Sequence, residues 1–179
     1  MRRLMLLRHA KSARPPGVAD IDRPLAPRGR DAAARMGAYL RDEALVPDVA
    51  LVSSSRRTRE TWDLVAPALD GVEARFEPRI YEAPEARLLA VLREVEPEVR
   101  TLLMIGHNPG FEDLAARLVG RGDRSASERL SEKFPTAALA VIDFEADSWA
   151  EVAAGAGRLE RFVTPKSLGT GEDEEGRSA

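Results

Sequence analysis

"LMLLRHAKSARPPG", residues 4–17, opens with four consecutive apolar side chains and then turns cationic. Leu4-Met5-Leu6-Leu7 shows no alternation of polar and apolar positions, the pattern of a short strand buried on both faces. Arg8 and His9 stand at its carboxyl end, and Pro15-Pro16-Gly17 prevents the strand from continuing. Residues 10–27 hold four prolines and a glycine, which predicts a long loop. In a compact domain a loop of that length usually serves function.

Outward from this strand the apolar pattern alternates in period. Ala32, Ala33, Met36, Leu40 and Leu45 follow helical spacing from Gly29, and Pro47 closes that helix. Val49-Ala50-Leu51-Val52 reads as a second short strand, and Ser53-Ser54-Ser55 supplies cap candidates for a helix reaching about Leu69. Val72 to Phe76 is a weaker strand, and Glu85 to Val95 a third helix. Thr101 to Ile105 repeats the buried-strand pattern, Gly106-His107-Asn108-Pro109-Gly110 turns, and Phe111 to Val119 is helical. Residues 120–133 are polar and carry no clear signal, while 137–144 and 159–163 read as strands. Apolar strands alternating with helices predict an α/β fold: a three-layer α/β/α sandwich whose central sheet is mostly parallel, with an antiparallel strand at one edge. A parallel sheet brings its strand exits to one side, where ligands bind. Three exits hold the notable residues: Arg8-His9, the stretch from Ser53 to Arg59, and Gly106-His107.

Composition narrows the function. The chain has 179 residues, 44% of them hydrophobic, enough for one domain over residues 1–168 with its own core. The remaining stretch, 169–179, "GTGEDEEGRSA", lacks apolar periodicity and is expected to be a disordered acidic tail. No apolar run is long enough for a membrane span or a signal peptide. With no cysteine there is neither disulfide nor thiolate chemistry, and a cytoplasmic address is expected. A net charge of −3 argues against nucleic acid as a partner. Two histidines about a hundred residues apart, without a carboxylate cluster, match no common metal spacing, so neither metal nor cofactor is expected.

Two imidazoles and several guanidiniums converging at one mouth describe an anion site. Arginine offers a forked set of donors and a charge that does not titrate away. A histidine near its ordinary pKa presents a free ring nitrogen at neutral pH, able to attack phosphorus and form a phosphohistidine intermediate. The guanidiniums would take up charge on the transferring phosphoryl oxygens.

The segments "LLRHAKS", "DIDRPLAPRGRDAAARMGAYL", "SSSRRTRET" and "MIGHNPG" together resemble the histidine phosphatase superfamily, which has the phosphoglycerate-mutase-like fold, over roughly residues 3–168. Within it the chain is similar to the small SixA-type phosphohistidine phosphatases. The resemblance implies that His9 is the nucleophile, that Arg8 and Arg57 bind the phosphoryl group, and that His107 completes the pocket. It also makes Glu82, in "RIYEAPEARLL", the nearest candidate for a general acid; an exposed carboxylate without a role is the competing reading. Arg56 and Arg59 read better as a solvated helix face, and Asp22 with Arg23 as an ion pair that orders the loop. Lys166, in "TPKSL", has no assigned role. The short link between Phe76 and Glu85 implies an open pocket and no mutase activity.

The expected activity is therefore a metal-independent phosphatase acting on phosphohistidine in a signalling protein, with phosphate, sulfate or vanadate as pocket ligands. Hydrolysis of small phosphomonoesters by the same mechanism is the second reading. A non-catalytic module that binds phosphoproteins is the third.

Overall fold

The computed structural model describes residues 1–169, so the expected acidic tail beyond Gly169 lies outside them. The first strand, β1 (Arg2–Arg8), runs through the middle of a seven-stranded sheet. Its apolar run divides by alternation: Leu4 and Leu6 enter the core on one face, Met5 and Leu7 on the other. Burying each contributes about 1.5–3 kcal/mol before conformational entropy is set against it.

The other strands are β2 (Val49–Ser53), β3 (Glu73–Glu77), β4 (Thr101–Gly106), β5 (Val119–Gly122), β6 (Leu139–Phe144) and β7 (Gly157–Val163). Their spatial order is β3-β2-β4-β1-β6-β7-β5. Helices α1 (Pro27–Asp42) and α2 (Arg56–Val65) cover one face through Met36, Leu40, Trp62 and Val65. Helices α3 (Glu85–Arg93), α4 (Gly110–Leu118) and α5 (Arg124–Glu132) cover the other, with Leu88, Leu92, Phe111, Leu114 and Leu130 inward. The three-layer α/β/α arrangement is as the alternation of periods predicts. Helices α1 and α2 touch where Gly37 lies against Val65; a Cβ there would come within 2.9 Å of the Val65 Cα.

The antiparallel strand is not at an edge. It is β6, paired with β1 on one side and β7 on the other, and the true edges are β3 and β5. The chain comes to the tip of β1 before β6 begins, and the Ala137 N–H donates to the carbonyls of Arg8 and His9, each at 3.1 Å. A strand that starts there and runs back pairs directly, without the crossover a parallel neighbour needs.

Residues 120–133, which carried no clear pattern, hold most of β5 and all of α5, and Val119, read as the end of a helix, is the first residue of β5. The strand is short, half glycine and mostly exposed. The helix buries only Ala126 and Leu130, and is capped by the Asp123 side chain, which accepts from the Ala126 N–H at 2.8 Å. Helix α2 ends earlier than its pattern suggests, because the chain tightens into a 3-10 turn over Ala66–Ala68 around Pro67.

Candidate active site

The candidate site lies at the carboxyl ends of β1, β2 and β4, where Arg8 pairs in register with Gly106. His9 follows β1 and is held by its own N–H donating to the Gly106 carbonyl at 3.0 Å. The next N–H, of Ala10, donates to Thr61 Oγ1 at 3.1 Å, and that hydroxyl donates to the Arg57 carbonyl at 2.8 Å. His9 Nδ1 lies 2.8 Å from the Ala10 carbonyl. A carbonyl only accepts, so Nδ1 carries the proton and the Nε2 lone pair is free.

His107 follows β4. Its neighbour Gly106 has no room for a side chain, since a Cβ would meet the Phe111 ring at 2.6 Å; at Gly110 a Cβ would meet the Ala83 carbonyl oxygen at 2.3 Å. His107 Nε2 lies 2.8 Å from Ser53 Oγ, and Nδ1 makes a longer 3.5 Å contact with Arg57 Nη2. A guanidinium only donates, so Nδ1 accepts and Nε2–H donates to Ser53. The two imidazoles face each other with ring centroids 5.3 Å apart, inclined by 54°.

Arg57 is buried in the first turn of α2, a helix whose start is set by Ser55 Oγ accepting from the Thr58 N–H at 3.3 Å. Its Nη1 donates to the Asp20 carbonyl at 2.8 Å and its Nη2 to Asp20 Oδ2 at 3.1 Å. Arg8 is anchored differently: Nη1 donates at 3.0 Å to the Phe134 carbonyl, which also accepts from Asn108 Nδ2 at 2.9 Å. The Phe134 N–H donates to Glu112 Oε1 at 2.9 Å, fixing that peptide. Both guanidiniums retain a buried Nε–H with no acceptor among the described residues. Leaving such a donor unsatisfied costs about 1–3 kcal/mol, and an oxyanion would relieve both.

Burial, above all, pushes His9 well below the usual histidine pKa, and the charges of His107, Arg8 and Arg57 add to it. His107 falls to about 3 through burial and then Arg57, with Asp20 opposing. Both rings are therefore neutral at pH 7. Burial likewise lowers the Arg8 pKa, against the pull of Glu112.

The expected residues Arg8, His9, Arg57 and His107 thus come together. Glu82 does not join their hydrogen-bond network: it is exposed, in a left-handed turn at φ 52° beside the pocket. Its neighbour Tyr81 occupies the wall instead, edge-on to His107 at 5.4 Å between centroids, with its hydroxyl donating to Asp20 Oδ2. Arg56 and Arg59 lie on the exposed face of α2, where Arg56 pairs with Glu60 at 2.9 Å. Lys166 is exposed in the turn after β7. The loop ion pair differs from expectation: Arg23 pairs with Asp20 at 3.0 Å rather than with Asp22. The 3-10 turn over Asp20–Asp22 brings residues three apart into line.

Asp20 and Tyr81 were not anticipated as site residues, and Ser53 only as the first residue of a notable strand exit. The available signal was a tyrosine, one of two in the chain, next to the suspected acid, and an acidic residue just ahead of Asp22-Arg23. Among the described residues no group of three His, Asp or Glu side chains is arranged to hold a metal ion, and no helix is long and apolar enough to cross a membrane.

Residues 4–84 match the family model of the histidine phosphatase superfamily, branch 1. A candidate phosphohistidine phosphatase SixA from Agrobacterium tumefaciens is 30% identical and superposes with a TM-score of 0.78, over 92% of this chain and 98% of that one. The chain belongs to the histidine phosphatase superfamily. Within this superfamily it is similar to SixA-type proteins, and its phosphoglycerate-mutase-like fold accounts for the mostly parallel sheet. A second SixA candidate, from Nakamurella multipartita, is 29% identical with a TM-score of 0.81, covering 92% of this chain and 96% of its own. An uncharacterized protein of Mycobacterium tuberculosis is 40% identical over 162 residues, 89% of this chain and all of that one. At the level of class, this histidine phosphatase is a phosphate-releasing hydrolase.

Proposed function

We propose that this histidine phosphatase removes phosphoryl groups through a covalent intermediate on His9, without a metal, and that its substrate is phosphohistidine on another protein. The reading rests on one observation: the His9 ring, with Nε2 free, has its centroid 5.3 Å from that of His107 and feels the charges of Arg8 and Arg57, two anchored guanidiniums that each keep a buried donor. His9 Nε2 attacks phosphorus, an N–P bond forms, and the bond to the leaving group breaks with its electron pair. Arg8 and Arg57 take up charge on the equatorial oxygens, and His107 becomes a donor once an anion raises its pKa. Water then attacks the phosphohistidine, releasing phosphate and restoring His9.

The leaving group supports the substrate class. Asp20 is held below the usual carboxylate range, first by the Tyr81 hydroxyl and then by Arg23 and Arg57. Tyr81 is pushed up to about 12 by burial and Asp20. Neither has the pKa of a proton donor working near neutrality, and Glu82 is exposed at the rim. A phosphohistidine whose other ring nitrogen is protonated releases a neutral imidazole with little help, the conjugate acid having a pKa near 6.5, whereas a phenolate near 10 or an alkoxide needs a proton from the protein.

Single-turnover trapping with a phosphohistidine protein tests this. Acid-labile, base-stable phosphate should appear on wild-type protein and vanish in His9→Ala, with kcat falling on the order of 10⁴-fold or more. Folded His9→Ala that keeps most of its turnover would refute the covalent role. Faster turnover of small phosphomonoesters than of phosphohistidine would reassign the substrate.

A further inference from the structure

Arg57 makes its two best hydrogen bonds away from the imidazoles. Asp20 holds its outer edge twice, by the backbone carbonyl on Nη1 at 2.8 Å and by Oδ2 on Nη2 at 3.1 Å. The inner edge keeps its Nε–H without an acceptor, while Nη2 reaches His107 Nδ1 at 3.5 Å. A planar guanidinium gripped along one edge cannot swivel, so it presents the other edge as a fixed fork.

Asp20 is itself gripped from two directions. Arg23 Nη1 donates to Oδ1 at 3.0 Å, while Arg23 Nε is tied to the Ala13 carbonyl at 3.1 Å and its Nη2 to Ser12 Oγ. From the loop after β3, Tyr81 donates its hydroxyl proton to Oδ2, and the Arg57 guanidinium carbon lies 6.0 Å from the centre of the Tyr81 ring. Two loops distant in sequence thereby close on the same carboxylate. Nothing in the proposed bond changes calls for Asp20 or Tyr81.

We infer that Asp20, clamped by the Tyr81 hydroxyl, is the positioning residue of the pocket, orienting Arg57 so that its Nε/Nη2 edge meets the phosphoryl oxygens. The inference rests on the phosphatase reading and adds to it a device that acts chiefly through Arg57, which donates two hydrogen bonds to Asp20. A loop staple, the alternative, would stabilise the fold whether or not Arg57 were present.

A double-mutant cycle separates the two. Asp20→Asn, Arg57→Ala and their combination are assayed for turnover of p-nitrophenyl phosphate and a phosphohistidine peptide, and for inorganic phosphate affinity by calorimetry. Positioning predicts that Asp20→Asn alone lowers kcat/KM on the order of 100-fold, mostly in kcat. Tyr81→Phe should cost about tenfold. Added to Arg57→Ala, Asp20→Asn should change either readout by less than about twofold. Multiplicative losses in the combined variant, or undiminished activity in Asp20→Asn, would overturn the inference. If Asp20→Asn does not fold, Tyr81→Phe with Arg57→Ala decides the same question. The affinity arm keeps the two readings distinguishable: phosphate binding without turnover by wild-type protein refutes the phosphatase reading and leaves the cycle on Arg57 intact.

Discussion

At His9 the 2.8 Å contact between Nδ1 and the Ala10 carbonyl decides which nitrogen can act, and burial keeps that nitrogen unprotonated. His107 has the complementary arrangement, donating from Nε2 to Ser53 and turning Nδ1 toward Arg57. Its pKa of about 3 belongs to a ring that is buried and that also faces cations. An anion between those cations favours the protonated form, so saturating inorganic phosphate should raise the His107 pKa by at least one unit, read by 15N chemical shift. A shift that stays put on phosphate binding would remove His107 from the pocket's chemistry. Glu82 can be judged by its leaving-group dependence. From its exposed position, Glu82→Gln should slow aryl or alkyl phosphate hydrolysis several-fold and phosphohistidine hydrolysis by less than about twofold. Equal losses on both substrates would contradict the leaving-group argument. Arg8, His9 and His107 were legible as candidates because each stands within two residues of an apolar run, and Arg57 through the resemblance carried by "SSSRRTRET"; Asp20 and Tyr81 were not, because their contacts exist only where two distant loops meet.

Among the elements, α2 matters most to the site, since its first turn carries Arg57 and its third inward position, Thr61, braces the chain after His9. The Ser55 cap sets where that helix starts. Ser55→Ala should lower the free energy of unfolding by about 1 kcal/mol and reduce kcat/KM, because a frayed first turn releases Arg57. Urea unfolding and steady-state kinetics on the same preparation check both; an unchanged kcat/KM alongside lost stability would show that Arg57 is held from elsewhere. The glycines of the Gly106-His107-Asn108-Pro109-Gly110 turn have a plain steric cause, the Phe111 ring at one and the Ala83 carbonyl at the other. Strand β5 and helix α5 escaped the sequence pattern for a related reason. An edge strand and a helix with only two buried positions have little apolar periodicity to display.

Over the whole molecule, the buried histidines couple stability to pH. His107 sits near 3 when folded against an ordinary value of 6.5, so between those limits the unfolded chain binds a proton that the folded one refuses. That stability is fully present above pH 6.5 and is lost as pH falls toward 3, at about 1.4 kcal/mol per unit for this ring. His9 acts in the same direction. The depressed Asp20 adds stability that disappears lower still, as pH falls below the ordinary carboxylate range. Melting temperature should drop between pH 7.5 and pH 5, and His107→Gln should flatten that slope; a wild-type midpoint unchanged over the interval would contradict the buried, neutral assignment. By itself the amino-acid sequence determined the alternation of strands and helices and the layered α/β class, and it singled out four candidate site residues, because burial on two faces and motif position are written in local pattern. The tertiary structure alone decided that the antiparallel strand lies inside the sheet, and that Asp20 and Tyr81 close on Arg57. Both depend on where chain segments far apart in sequence come to rest, and such placement follows from packing and hydrogen-bond satisfaction across the sheet, which no local run of residues encodes.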